Sequence, residues 1–148
     1  MNKIFHLFVV LAICVNGSSA FGAAQAVEFR TVDIFIDSQG RSLAAYQLDW
    51  SIASGNATIV GIEGGEHPAF KNPPYYDPKA IQQERVIVAA FTTDLSKPLP
   101  KGQTRVATIH LQTRAGALCE YKFQKFEAAD PDGRRITVEA SSRERKVP

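Results

Sequence analysis

Apolar and polar residues alternate with a period of two in several short runs of this chain, and turn residues separate those runs. The alternation is most regular over residues 32–37, 44–52 and 107–112. A period of two places successive side chains on opposite faces of a β-strand, so one face of each run can pack in a core. No amphipathic helical pattern follows the first 26 residues. About eight strands in roughly 115 residues predict an all-β fold, an antiparallel β-sandwich of jelly-roll type with about eight to nine strands.

Two further segments carry expectations about burial. Residues 85–91 are apolar on both faces of the predicted strand, which is typical of a central strand buried between layers. Cys119 alternates with Tyr121 and Phe123, so the three side chains are expected to point inward and Cys119 to be a buried, inert thiol.

The first 26 residues have the layout of a secretory signal peptide. Lys3 gives a short positive region, residues 4–15 an apolar core, and small residues follow up to a cleavage site after Ala20 or Ala26. We favour Ala26, because the strand-like pattern starts immediately after it. The chain is therefore expected to be exported, to the periplasm, the cell surface or the medium.

A cysteine inside the predicted signal peptide raises the alternative of a lipid anchor. The segment ending in Cys14 resembles a bacterial lipobox, but that motif needs a small residue before the cysteine, and Ile13 is bulky and β-branched. Contact with a membrane is accordingly expected only if Cys14 is lipidated. Removal of residues 1–26 would leave Cys119 as the single cysteine, which excludes an intrachain disulfide.

The C-terminal boundary of the domain follows from a turn motif and one more predicted strand. The motif Asp-Pro-Asp-Gly at residues 130–133 predicts a tight turn, because Pro fixes φ and Gly supplies a positive φ. Residues 136–140 form the last predicted strand. The sequence thus predicts one sandwich domain over residues 27–140, followed by a charged tail over residues 141–148.

The charge balance restricts the class of partner. The formal net charge is +2, without the basic excess of a nucleic-acid-binding domain. We therefore expect no nucleic-acid partner.

The order of these features resembles cohesin domains and the carbohydrate-binding modules that share their jelly-roll sandwich. The similarity is carried by "LAAYQLDW" (43–50), "ATIVGIEGG" (57–65), "RVIVAAF" (85–91) and "GQTRVATIHL" (102–111), and extends from about Val32 to Val138. The resemblance implies a non-catalytic recognition module on a nine-stranded sandwich. Cohesins bind dockerin domains through one sheet face, and the related modules bind polysaccharides through exposed aromatic residues. The loop between the second and third of these segments is longer than in a cohesin.

Catalytic and metal-binding patterns are scarce in the sequence. There is no Gly-x-Ser-x-Gly elbow and no glycine-rich phosphate loop before a helix, so we predict no catalytic residues and no cofactor. Glu63, Glu66 and His67 are close in sequence, but the intervening glycines disfavour the helix that would align them on a metal. The motif at 130–133 lacks the further oxygen ligands of a calcium loop. We therefore predict no metal site.

The single candidate site is the loop "FKNPPYYDP", residues 70–78. Its prolines stiffen the backbone around Tyr75 and Tyr76, and pre-positioned aromatic rings can stack on the apolar face of a sugar. Phe70 would add apolar area, and Asn72 or Asp77 could hydrogen-bond hydroxyl groups. The alternative is structural: a crossover between sheets must cover the open end of the core, and Phe70 with one tyrosine could close it. The sequence thus leaves two candidate ligands: a protein partner of dockerin type, bound by a sheet face, or a polysaccharide, bound by the loop tyrosines.

Overall fold

The computed structural model describes residues 26–146 and contains eight β-strands in two antiparallel sheets. The signal peptide predicted over residues 1–26, with Cys14 and the cleavage site after Ala20, lies almost entirely outside the described residues. The elements are β1 (Val27–Asp37), β2 (Ala45–Ser54), β3 (Ala57–Gly64), a 3-10 turn (Pro68–Phe70), β4 (Tyr75–Tyr76), α1 (Pro78–Ile81), β5 (Arg85–Phe91), β6 (Gln103–Arg114), β7 (Glu120–Ala129) and β8 (Glu139–Lys146). Within residues 26–146, no helix has the length and apolar character needed to cross a membrane.

The two sheets have four strands each. Sheet A has the order β3-β6-β1-β8, and sheet B has the order β4-β5-β2-β7. Every connection except β4–β5 passes from one sheet to the other, so neighbours in the chain usually lie in opposite layers. The predicted all-β sandwich is confirmed.

The core lies between the inner faces of the sheets, and the period-two runs supply it. In each run the apolar set that alternates with polar residues points inward, as predicted. The fully buried Trp50 ring stacks on the partly buried Tyr121 ring with 4.9 Å between ring centroids. The inward-facing residues that are almost fully buried include Val32, Ile34, Ile36, Tyr46, Leu48, Trp50, Val86, Val88, Ile109 and Leu111.

The C-terminal segment differs from its prediction. Residues 141–146, predicted as part of a charged tail, belong to strand β8 (Glu139–Lys146), at the edge of sheet A next to β1. Ile136 and Val138, expected to begin the last strand, are buried in the segment that crosses from sheet B to sheet A. The domain therefore extends to at least Lys146.

Charged contacts on both faces of β8 explain how so polar a segment forms a strand. On the inner face, Glu144 accepts a 2.9 Å hydrogen bond from the buried guanidinium of Arg30 and another from the Tyr121 hydroxyl. On the outer face, Arg145 donates two hydrogen bonds of 2.7 and 2.9 Å to Asp33. Ion pairs with long sequence separation thus replace the apolar alternation as the signal for this strand.

The turn at residues 130–133 is confirmed. One carboxylate oxygen of Asp130 accepts hydrogen bonds from the backbone N–H groups of Asp132 and Arg134. Gly133 has φ +77°, a conformation that favours glycine. The turn joins β7 to the segment that leads into β8.

Candidate functional site

The outer face of β5, directed away from the core, is not covered by any other element within the described residues. Val86 and Val88 point into the core, whereas Ile87, Ala89 and Phe91 point outward and remain partly or largely exposed. Phe91 is 60% exposed. The prediction that this strand is buried between layers is therefore wrong for one of its two faces. A contiguous uncovered apolar surface on a strand inside a sheet marks a candidate interaction surface.

The long loop that follows β3 begins with two glycines because its backbone passes unusually close to other chain segments. A Cβ atom on Gly64 would lie 2.1 Å from the carbonyl oxygen of Lys71. A Cβ atom on Gly65 would lie 2.2 Å from the carbonyl oxygen of Arg105. Only glycine fits at these two positions, and the close approach fixes the path of the loop toward sheet B.

Phe70 belongs to the core and not to the exposed surface. Its side chain is 2% exposed, and its ring packs edge-on against Tyr46 with 5.3 Å between centroids. The carbonyl group of Phe70 also accepts a 2.7 Å hydrogen bond from Gly65. Phe70 therefore closes the end of the core without Tyr75 or Tyr76. The prediction that Phe70 adds apolar area to a ligand surface is wrong.

Tyr75 and Tyr76 form the short strand β4 at the edge of sheet B. They pair with Ala89 and Val88 of β5, which holds both tyrosines against the sheet. Tyr75 is 73% exposed and Tyr76 is 50% exposed. The Tyr75 ring lies nearly parallel to the Phe91 ring, at 14° between planes and 6.2 Å between centroids. The loop thus adds a second ring to the exposed aromatic surface of β5.

The two polar residues predicted for the site have mainly local contacts. The Asp77 carboxylate accepts a 2.9 Å hydrogen bond from the Lys79 N–H at the start of α1, and the Asp77 N–H donates to Ile87 of β5. Asn72 is exposed, and its carbonyl oxygen lies over Gly64. Asp77 is next to the tyrosines, so it is positioned to contact a ligand there, whereas Asn72 lies farther back in the loop.

Two adjoining hollows form a trough along the outer face of sheet B. Their volumes are about 360 and 280 Å³, and both are lined by Gln47 and Ala89. Small side chains, including Ala45 and Ala129, form the floor of the larger hollow, and Phe91 rises beside it. We call this surface the sheet B trough. Its shape follows from alanines on three neighbouring strands.

Charged groups border the trough on the side of β7. Glu127 lies opposite Gln47 in the strand register and accepts a 2.9 Å hydrogen bond from Arg135. Lys125 lies 3.3 Å from the same carboxylate oxygen of Glu127. The trough therefore has aromatic rings on one side and an amide with paired charges on the other.

A second ion pair borders the same face nearer the start of β5. Arg85 donates two hydrogen bonds to Asp49, one of them 2.7 Å from its Nε atom. The hydrogen bonds from Arg85 lower the pKa of Asp49 below the ordinary aspartate value. Asp49 is accordingly a carboxylate at neutral pH, and the pair is a fixed polar feature of the face.

The side chains of Glu63, Glu66 and His67, which are close in sequence, do not converge on one point. Glu63 lies 3.1 Å from His110 Nε2 across the sheet, whereas Glu66 accepts a hydrogen bond from the Arg105 N–H. His67 accepts a backbone hydrogen bond within its own 3-10 turn. Over residues 26–146, no group of three or more His, Cys, Asp or Glu side chains is placed to hold a metal ion.

Cys119 is only partly buried, although its alternation with Tyr121 and Phe123 predicted full burial. All three side chains pack against the edge of the core. Within residues 26–146 the Cys119 thiol forms no disulfide. Its position just before β7, at the end of the sandwich, accounts for the remaining exposure.

Several residues of the trough were not singled out by sequence reasoning. Gln47, Phe91, Glu127 and Arg135 come from three strands and a turn, and no local motif joins them. For Phe91 the signal was present, because a strand that is apolar on both faces must either be covered on both sides or expose one. The other three are recognised only once the strand order is known.

Comparisons of the chain with protein-family models, with curated proteins and with solved structures found no match.

Proposed function

We propose that the chain is an exported, non-catalytic binding module of cohesin-like type that recognises a protein partner through the outer face of sheet B. The observation that carries the proposal is the uncovered face of β5 and β4, where Tyr75 and Phe91 stand exposed beside an alanine floor. Contiguous exposed apolar surface on a soluble domain is a common property of interaction sites.

The composition of the face is that of a protein interface. Aromatic residues are enriched at the centre of such interfaces and charged residues at the rim. Here Tyr75 and Phe91 form one side of the exposed apolar surface, and the pairs Glu127–Arg135 and Asp49–Arg85 stand at its other borders.

Rigidity also supports a binding role for the tyrosines. The prolines at 73 and 74 precede β4, and pairing with β5 holds the backbone that follows. An aromatic side chain that is already positioned loses little conformational freedom on binding, which favours its use as an interface anchor.

The proposal is tested by capture of a partner with matched charge substitutions. Immobilised wild-type protein is used to isolate a partner from an extract of the producing cells, and the purified partner is then titrated by calorimetry. Ala89→Arg in the trough should weaken binding at least about tenfold, since a buried unpaired charge at an interface costs several kcal/mol. Ser141→Arg adds the same charge to the exposed outer face of sheet A and should have no effect. Equal binding by both variants would refute the assignment of the face.

A polysaccharide is the second candidate ligand, and the parallel rings of Tyr75 and Phe91 favour it. Flat aromatic surfaces stack on sugar rings, while Gln47 and Glu127 across the trough could hydrogen-bond hydroxyl groups. Retardation of the wild type in polysaccharide gels, lost in Tyr75→Ala/Tyr76→Ala, would select this ligand over a protein.

The non-catalytic part of the proposal has its own test. Purified protein is assayed on panels of ester and glycoside substrates. Turnover that remains after further purification would overturn the assignment as a binding module.

A further inference from the structure

Strand β8 lies at the edge of sheet A and has no large apolar side chain on its core side. The residues that pair with core-facing positions of β1 are Ala140, Ser142, Glu144 and Lys146. The opposite edge strand of the same sheet, β3, differs because it buries Ala57 and Ile59 in the core. Burial of apolar surface therefore contributes much less to the attachment of β8 than to that of β3.

On the core side, charged groups attach β8 to its neighbours. Glu144 accepts hydrogen bonds from Arg30 of β1, at 2.9 Å, and from the hydroxyl group of Tyr121 on β7. The buried guanidinium of Arg30 also donates to Glu28 at 3.2 Å. Glu28 in turn lies 3.6 Å from the ammonium group of Lys146. Two carboxylates, Glu28 and Glu144, thus connect β8 to β1, and Glu144 also connects it to sheet B.

On the outer face, a third carboxylate holds β8. Asp33 of β1 is buried and accepts two hydrogen bonds from Arg145, of 2.7 and 2.9 Å, and one from Thr108 of β6. The other charged groups beside Asp33 are Arg143, opposite it in the register, and Arg105, which donates to Thr108. Asp33 is thus the anion among three arginines from β6 and β8.

The formal charges of the two strands show what acid does to this pairing. At neutral pH β8 has three cationic and two anionic side chains, and β1 has one cationic and three anionic side chains. The net charges, +1 and −2, attract each other, whereas protonation of all carboxylates changes them to +3 and +1, which repel. From sheet B, Tyr121 and Cys119 face Arg30, and both are uncharged in acid, so they do not offset the repulsion.

Two of the three carboxylates have a lowered pKa in the folded protein. The hydrogen bond from Arg30 is the main cause that lowers the pKa of Glu28. Burial would raise the pKa of Asp33, but hydrogen bonds from Arg145 and Thr108 outweigh it. Because the unfolded chain binds these protons more tightly, the stabilisation is complete above about pH 5 and is lost as the pH falls through the folded-state pKa values.

We propose that β8 is an acid-released strand, which leaves the edge of sheet A while the other strands stay folded. Protonation of Glu28, Asp33 and Glu144 releases it. Ile136 and Val138, which precede β8, are buried in the core and limit the release to the residues that follow them. This conformational switch lies on sheet A, so it goes beyond the binding function proposed for the sheet B trough and can fail independently of it.

The test is hydrogen exchange of the folded wild-type protein, followed by mass spectrometry between neutral pH and about pH 2.5. Rates are corrected at each pH for the intrinsic exchange of the unfolded chain. Peptides that cover β3 are the internal control, because β3 is the other edge of the same sheet. As the pH falls, β8 should lose protection before β3 does, with a loss at least about tenfold larger at the midpoint of its release.

Two substitutions reproduce the neutral carboxyl groups at neutral pH. The double variant Glu144→Gln/Asp33→Asn should reduce the protection of β8 at least about tenfold and leave that of β3 within about twofold of wild type. Glu139→Gln is the matched control on the same strand, because Glu139 lies opposite the carboxylate of Asp37 in the register. This control should leave β8 at least as protected as in wild type, since it removes one member of a like-charged pair.

Two results would overturn the proposal. Equal loss of protection in β8 and β3 throughout the titration would show that acid unfolds the whole domain at once. Wild-type protection of β8 in the double variant at neutral pH would show that the carboxylates do not hold the strand. Neither result bears on ligand binding by the sheet B trough.

Discussion

The two sheets share one core, but their outer faces differ. The side chains on sheet A have hydrogen-bond and ion-pair partners within the domain, whereas sheet B leaves apolar side chains exposed. On sheet A, Asp33 is buried and receives hydrogen bonds from Arg145 and Thr108, and Arg143 lies over the ring of Phe35 at 5.4 Å. On sheet B, the alanine floor and the exposed rings have no comparable cover within the described residues. Thr31 is an exception on sheet A, because its buried hydroxyl group has no hydrogen-bond partner among residues 26–146.

This difference indicates at which face the binding of a partner releases most free energy. A side chain that already has its partners in the chain must lose them before it can contribute to a complex, whereas an exposed apolar surface only loses water. Sheet B is therefore the better binding face, even though sheet A carries more charge. The predictions below test that contrast, starting with the largest expected effect.

Phe70→Ala should have the largest effect, because Phe70 supports the loop that carries the aromatic side of the sheet B trough. Loss of a fully buried ring is expected to lower the free energy of unfolding by about 3–5 kcal/mol in urea denaturation. Tyr76→Ala is the control from the same loop. A loss below about 1 kcal/mol for Phe70→Ala would show that the end of the core is not closed by this ring.

Asp33→Ala should cost less, about 1–3 kcal/mol, because it leaves the buried Thr108 hydroxyl and the Arg145 guanidinium without their acceptor. Gln47→Ala, at an outward position of sheet B, is expected to change the free energy of unfolding by less than about 0.5 kcal/mol. Urea denaturation of both variants measures the contrast directly. Similar losses would show that the two faces contribute equally to stability.

Acid should weaken the fold partly through the same carboxylate. Burial by itself would raise the pKa of Asp33, but hydrogen bonds from Arg145 and Thr108 outweigh it, and the pKa lies below the ordinary aspartate value. The unfolded chain then binds the proton more tightly, so this contribution is complete above about pH 4 and is lost as the pH falls through the folded-state pKa.

The measurement is the urea midpoint of wild type and Asp33→Asn between neutral pH and about pH 2. Asp33→Asn should show a shallower decrease at acid pH. Asp49→Asn on sheet B should act in the same direction, because Arg85 lowers the pKa of Asp49. An unchanged pH profile in Asp33→Asn would assign acid sensitivity to other groups.

Tyr75→Ala should have the smallest effect on stability, within about 0.5 kcal/mol, because the side chain is mostly exposed. Binding of the partner or polysaccharide should decrease nonetheless. Thermal denaturation and calorimetry on the same sample separate the two effects. A large loss of stability would mean that the Tyr75–Phe91 contact belongs to the fold and not to the site.

The fold was largely predictable because most of its strands are specified locally. Val32, Ile34 and Ile36 alternate with less apolar residues, and their burial follows from strand geometry alone. Strand β8 was not predictable in this way. Its inward positions include Ser142 and Glu144, and the residue that stabilises Glu144 is Arg30, at the other end of the chain. Pairing over that separation leaves no periodic signal.

The candidate site was predictable only in part for the same reason. The stiff loop pointed to Tyr75 and Tyr76, and both are exposed as a site requires. The burial of Phe70 was not predictable, because it depends on which end of the core the loop covers. Phe91 and Glu127 joined the surface through strand order, which local sequence does not encode.

The short strand β4 also affects how copies of this chain interact at high concentration. β5 contains "VIVAAF", a stretch of strong β-propensity without charge or proline, which is the composition that promotes ordered aggregation. β4 pairs with only two residues of β5, and the two prolines before it cannot donate backbone hydrogen bonds. These features disfavour the addition of a further strand along this edge. The loop that presents Tyr75 thus also protects an aggregation-prone segment of the domain, and its deletion should favour fibril formation.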